Sequence, residues 1–216
     1  MIDVIFPLMG KQLPVDHGYY LFSAISSVLP DLHNDTTFGI HPVNGQIVGN
    51  RILNLTEFSR LVIRTPVEHI RRILPLAGKT LNVGNHLIYL GIPNTNAITP
   101  SSQVYSRLVV IKGFMEPETF LAATCRQLSD LNIQGDASLV EQHHIAAINN
   151  GRFSGTHSPY LRRTINIHGK EIVGFALRVG NLTDEDSLRL QEHGIGGRRK
   201  FGCGIFVPVR NINGRT

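Results

Sequence analysis

The densest chemistry in the chain lies at Gly194–Gly204, G-I-G-G-R-R-K-F-G-C-G, where five glycines surround the consecutive cations Arg198, Arg199 and Lys200. Glycine permits positive φ and close approach of another chain. Successive N–H groups in such a loop form an anion-binding concavity, and flanking cations attract phosphate. The spacing G-x-x-x-x-G-K-[ST] of a nucleotide-binding loop is absent. Nor does the stretch open a helix after a strand, as a dinucleotide fingerprint requires. The ligand class that suits it is a polyanion; the competing reading is a glycine-rich connection with ordinary surface cations.

The ten histidines add proton-transfer chemistry near neutral pH. His17 follows Asp16 at a predicted helix start, where the dipole favours a neutral, base-competent imidazole; because it shares a face with Leu21, it reads equally well as a packed structural residue. His41 is a third candidate for proton transfer, though Ile40 and Pro42 beside it suggest a structural turn. The neighbours His143 and His144 have no H-E-x-x-H pattern or carboxylate set around them and read as surface residues. Cys125 and Cys203 lack C-x-x-C spacing, so neither a zinc site nor a disulfide framework is indicated. No metal or other cofactor is expected. No G-x-S-x-G elbow accompanies the serines.

These groups need elements to hold them. Ile2, Val4, Phe6 and Leu8 alternate as a strand. Asp16 is a candidate N-cap for a helix carrying Leu21, Ala24, Ile25, Val28 and Leu29, which Pro30 stops. Residues 31–50 are polar and turn-rich, Arg60–Arg64 is a strand, and a short helix runs from Pro66 to about Leu74 with Arg71 and Arg72 on its solvated face. Leu81–Leu90 closes this half as a strand or hairpin, and Pro93–Pro100 reads as a linker or long turn. The pattern then restarts: a strand at Val104–Ile111, a helix at Pro117–Leu131, a polar insertion at Ser138–Pro159, and a hairpin over Leu161–Val179 turning at Gly169. Thr183 caps a helix that begins Asp184-Glu185-Asp186, and Phe201–Val209 is the last strand. Arg162 and Arg163 open a hairpin strand, so alternation sends them to opposite faces.

Both halves therefore read βαββαβ. The expected fold is α+β, two tandem ferredoxin-like (RNA-recognition-motif-like) units, at 1–92 and 104–216 with a linker at 93–103. A length of 216 residues suits two units of about 100 each. The charge of +5, from 21 Lys and Arg against 16 Asp and Glu, is compatible with nucleic acid. No apolar run approaches the roughly 18 residues of a membrane span, and the N-terminus lacks a basic signal-peptide region. No membrane association and a cytoplasmic location are the expectations.

Several stretches together resemble a known family. They are L-P-V-D-H-G-Y-Y-L-F at 13–22, L-P-D-L-H at 29–33, S-R-L-V-V-I-K-G-F at 106–114 and D-E-D-S-L-R-L-Q-E-H-G-I-G-G-R-R-K-F-G-C-G-I-F at 184–206. With the tandem element order and the terminal glycine-rich loop, they resemble the CRISPR repeat-processing endoribonucleases (Cas six), most closely the Myxococcus-type subfamily of type I systems. The resemblance implies binding to the repeat stem-loop of precursor CRISPR RNA and metal-free cleavage at the stem base. It implies further that the product stays bound and joins other subunits of a type I ribonucleoprotein complex.

Such cleavage uses the neighbouring ribose 2′-hydroxyl as nucleophile. It needs a base for that hydroxyl, an acid for the departing 5′-oxygen and positive charge around the phosphorane. The family places its catalytic histidine in the first helix or just after it. By that resemblance His33 ranks first and His17 second, with Tyr20 or Tyr19 orienting the phosphate. RNA contacts are expected from Arg162 or Arg163 and from Gly196, Gly197, Arg198, Arg199 and Lys200, with a Cβ at either glycine blocking the approach. A non-catalytic RNA-binding subunit is the alternative, since K-F-G-C-G-I-F-V at 200–207 resembles the aromatic strand of an RNA-recognition motif. A small-molecule sensor of the same build is a third class. Labelled repeat RNA separates them: cut, bound intact, or ignored.

Overall fold

Period-two burial at the N-terminus sets the first sheet. A computed structural model describes residues 1–141 and 159–209. In β1 (Ile2–Gly10), Val4, Phe6 and Leu8 are buried and the residues between them are not, as a pleated strand with one covered face requires. The chain divides into two compact units. One comprises 1–99 with 165–171 and 198–205, and the other 100–164, 172–197 and 206–216.

The first unit contains β2 (Gln12–Pro14), α1 (Gly18–Val28), β3 (Gly39–Ile40), β4 (Gln46–Gly49), β5 (Ile52–Asn54), β6 (Arg60–Thr65), α2 (Ile70–Ile73), β7 (Thr80–Val83), β8 (His86–Leu90) and β9 (Asn94–Ala97). Its main sheet has the order β3-β6-β1-β8-β7, with β9 also on β1, and β2-β5-β4 form a smaller sheet. The sub-order β3-β6-β1-β9, antiparallel throughout, is that of a ferredoxin-like unit. Leu21, Phe22 and Ile25 of α1 are buried in a core shared with Val4, Phe6, Leu61, Ile63 and Ile88.

Three local expectations change here. Asn94–Ala97, read as part of a linker or long turn, is a strand registered from Ile2↔Ala97 to Ile5↔Asn94. The helix expected from Pro66 keeps only four α-helical residues between two 3₁₀ turns, the second opened by Leu74-Pro75. At the start of α1 the cap position is His17, without a side-chain cap, because the Asp16 carboxylate instead accepts the Asn166 N–H at 2.6 Å.

The second unit holds β10 (Val104–Val109), α3 (Pro117–Asp130), β11 (Asp136–Leu139), most of β13 (Lys170–Gly180), α4 (Asp184–His193) and β14 (Val207–Pro208). The order β11-β13-β10-β14 repeats the ferredoxin-like arrangement. β12 (Arg162–Ile167) pairs with β13 as a hairpin. The polar insertion begins as strand β11, and His143 and His144 lie outside the described residues. The last strand shrinks to two residues, because positive φ at Gly202 and Gly204 is incompatible with a continuous strand. Thr183 caps α4 as read, its hydroxyl accepting from Asp186 N at 3.1 Å.

Among the described residues, no helix is long and apolar enough to cross a membrane.

Candidate active site

Helix periodicity decides which side chains of α1 face the cleft. Tyr19, Phe22, Ser23, Ser26 and Ser27 fall at i, i+3, i+4, i+7 and i+8, one continuous stripe. They line a cleft of about 590 Å³ with His33, His168, Lys200 and Phe201, all within the first unit.

Pro30 ends α1 and opens the 3₁₀ turn Pro30–Leu32, and His33 follows as its cap, its N–H donating to Pro30 O at 3.0 Å. Arg72 clamps this segment. Its Nη1 meets Asp35 Oδ2 at 2.6 Å and its Nη2 donates to Asp31 O at 3.3 Å. Burial alone would raise the Asp35 carboxyl, but hydrogen bonds from Thr37 and the Arg72 cation outweigh it and hold the group below its ordinary value. Arg72, read from sequence as a solvated surface charge, is thus the strut behind His33.

The glycine-rich stretch supplies the opposite wall. Gly18 has Phe201 O so close that a Cβ would lie 2.4 Å from it, so only glycine lets the loop meet the start of α1. Lys200 Nζ donates to His33 O and sits 5.1 Å over the Phe22 ring. Phe22 is the apolar floor, with ring centroids 5.7 Å from His33 and 5.3 Å from Phe201. Ser27 Oγ donates to Ser23 O at 2.9 Å, while buried Ser26 Oγ has no partner among the described residues. One imidazole on a clamped turn, an ammonium beside it and a row of hydroxyls make a site that can transfer a proton and stabilise a phosphate.

Other predicted residues lie elsewhere. His17 is 3% exposed; its Nδ1–H donates to Pro14 O and its Nε2 accepts from Val43 N, each at 2.9 Å, a bonding pattern that fixes one tautomer in the core. Tyr20 is on the other side of α1, where a Cβ on Gly84 would come within 3.2 Å of its ring; Tyr19 is the tyrosine in the cleft. The Arg199 guanidinium is largely buried near His41 and Arg64, and burial first, then the Arg64 charge, push it down to about 10. Arg198 is exposed, with φ +69°. Burial pushes the Cys203 thiol up to about 12, leaving it unreactive as a thiolate. Among the described residues, no three His, Cys, Asp or Glu side chains are grouped as metal ligands.

In the second unit Arg162 is exposed, its guanidinium 5.6 Å over the Phe175 ring, and Arg163 is half-buried. Gly196 has φ +74°, its N–H donates to Gln127 Oε1 at 2.8 Å, and a Cβ would lie 2.3 Å from Val110 O. Around Gly197 a Cβ would meet nothing within 4 Å. The two glycines therefore differ in what a Cβ would meet within the protein. Gly196→Val is expected to destabilise the protein by about 1–3 kcal/mol or more through overpacking and the forced left-handed backbone. Gly197→Val should stay within about 0.5 kcal/mol. Urea unfolding of both variants checks this, and equal midpoints would refute it.

Sequence reasoning passed over His168 and the serine stripe. The serines carried a usable signal, spacing from Tyr19 on the polar side of α1. His168 carried a subtler one, a histidine at the first position of a two-residue turn.

The sequence matches the family model described as Cas6 Crispr over residues 2–211. It is 36% identical over 207 residues to the CRISPR-associated endonuclease Cas6 of Myxococcus xanthus (strain DK1622), covering 96% of this chain and 81% of that protein. Among solved structures, it resembles a RAMP protein described as binding different RNA substrates, with TM-score 0.70 at 12% identity over 97% of this chain and 100% of the other. It also resembles a Cas6-related gene product of Pyrococcus furiosus, with TM-score 0.67 at 13% identity over 99% of both chains. At such identities these two likenesses concern the fold, which is the tandem ferredoxin-like one.

Proposed function

Because the chain belongs to the Cas6 family of CRISPR-associated proteins, we propose that it is an endoribonuclease that binds the repeat stem-loop of precursor CRISPR RNA and cuts it without a metal ion. The observation that carries the reading is the cleft itself, in which an exposed imidazole on a clamped turn sits beside an ammonium bonded to the same residue's carbonyl. His33 takes the proton of the ribose 2′-hydroxyl as its oxygen attacks the phosphorus. The bond to the 5′-oxygen breaks, leaving a 2′,3′-cyclic phosphate on one fragment and a 5′-hydroxyl on the other. Lys200 and the exposed Ser23 hydroxyl face the negative charge that builds on the phosphorane, where fixed donors and cations are most effective.

Arg198 and Lys200 are proposed to contact RNA phosphates, with Arg162 and Arg163 as further contacts. Arg199 and Gly196 would act by shaping the loop, and Gly197, with open space around it, by letting the RNA backbone approach. His17 and Tyr20, given their places, are proposed to support the fold around the site. Retention of the product and its passage to other subunits of a type I complex belong to the same proposal.

The test is cleavage of end-labelled repeat RNA in excess chelator. The expected outcome is an undiminished rate and a cyclic-phosphate or 3′-phosphate end. Activity lost in chelator and restored by magnesium or manganese would overturn the mechanism. RNA that is bound but never cut would favour the non-catalytic RNA-binding subunit instead.

A further inference from the structure

The β12–β13 hairpin turns through His168 and Gly169, with φ of +52° and +75°. Two successive positive φ values at the centre of a two-residue loop are the mark of a type I′ turn, whose first central position favours asparagine. Histidine, with asparagine and aspartate, is among the non-glycine residues that most readily adopt this conformation. The turn is also tied down. Asn166 Oδ1 accepts the Gly169 N–H at 2.9 Å, and Asn166 N donates to Asp16 Oδ2 at 2.6 Å, just ahead of α1. The imidazole so placed is exposed, its Nδ1 is 3.3 Å from the Tyr19 hydroxyl, and the two rings are 4.6 Å apart. It lines the same cleft as His33 and Lys200.

We propose that His168 is the general acid of this site, protonating the departing 5′-oxygen, with Tyr19 as its positioning residue. The proposal rests on the cleavage reaction described above. Lys200 is bonded to residue 33, so the cleft's ammonium serves the side where the 2′-oxygen attacks. The leaving oxygen needs its own proton. Imidazolium Nδ1–H donates to Tyr19 Oη, which aims Nε2–H into the cleft. As the phosphorus–oxygen bond breaks, its electron pair stays on the 5′-oxygen and that oxygen takes the Nε2 proton. His168 ends neutral and His33 ends protonated, so the pair exchanges one proton with solvent before the next cut. Proton transfer by a positioned side chain of this kind contributes roughly 10²–10⁴-fold.

The experiment uses His168→Asn, which suits the turn, and compares ordinary repeat RNA with the same RNA carrying a bridging 5′-sulfur at the cut site. A thiolate leaves without a proton, so an acid is dispensable there. The expected result is a roughly 10²-fold or greater loss on ordinary RNA and a rate close to wild type on the sulfur substrate. Tyr19→Phe should show a smaller loss with the same pattern. Equal loss on both substrates, or no loss on either, overturns the assignment. His33→Ala separates the underlying reading: it should be slow on both substrates. If it cuts both at the wild-type rate while His168→Asn keeps its sulfur-sensitive loss, the role of His33 falls and that of His168 stands. A wild-type protein that cuts neither substrate overturns both.

Discussion

His33→Ala lowers the single-turnover cleavage rate of repeat RNA by roughly 10²–10⁴, the usual contribution of a positioned acid or base, while RNA affinity and the unfolding midpoint hold. The affinity holds because Lys200 and the Ser23 hydroxyl remain. The fold holds because the ring is exposed and only its backbone joins the turn, through the bonds to Pro30 O and from Lys200. His17→Ala should behave in the opposite way. Its ring is buried and bonded at both nitrogens, so removal opens a cavity and strips the Val43 N–H of its acceptor. Stability should fall by about 1–3 kcal/mol for the orphaned group alone. Rate measurements and urea unfolding on the two variants distinguish the roles. A His33→Ala protein that cuts at the wild-type rate would remove the base from the mechanism.

Asp3→Ala should destabilise the first unit by about 3–5 kcal/mol, the range for removing one partner of a buried ion pair. Arg64 is 1% exposed, and its Nε and Nη2 meet the two Asp3 oxygens at 2.7 and 2.9 Å. His41 Nε2 is 3.5 Å from the same carboxylate. Burial alone would raise the Asp3 carboxyl, yet its contacts with His41 and Arg64 outweigh burial and hold it far below the usual carboxylate range. Because the folded-state value is the lower one, this contribution is fully present above the unfolded value of about 4 and is lost as pH falls below it. Asp3→Ala should therefore flatten the acid limb of the stability–pH curve. An unchanged limb would show that the pair does not carry the pH dependence. Arg199 of the glycine-rich stretch lies near enough to this group for the Arg64 charge to oppose its own.

Much of the architecture was legible because it rests on local rules. The alternation of Val4, Phe6 and Leu8, the stop at Pro30, the Thr183 cap and the hairpin turn beside Gly169 each follow from neighbours in the chain. Elements whose partners are remote were harder. Asn94–Ala97 has four exposed polar or small residues and no strand pattern; pairing with β1 supplies the hydrogen bonds that make it one. Phe201–Val209, read as the last strand, keeps only Val207–Pro208, because positive φ at Gly202 and Gly204 breaks its first part.

The site divides along the same line. Residue types and spacing by themselves determined that the chain carries a cationic glycine-rich loop and several histidines near its first helix, and family likeness singled out His33. Tertiary structure alone decided which of these share a cleft. It put His17 in the core, turned Tyr20 away in favour of Tyr19, buried Arg199 beside Arg64, made Arg72 the support of His33, and brought His168 to α1 across 149 positions of sequence. The physical reason is range. Periodicity, capping and turn chemistry act over a few residues and can be read along the chain. Burial, charge pairing and the distance between two imidazoles depend on which segments pack together, and they exist only once the sheet of the first unit has formed.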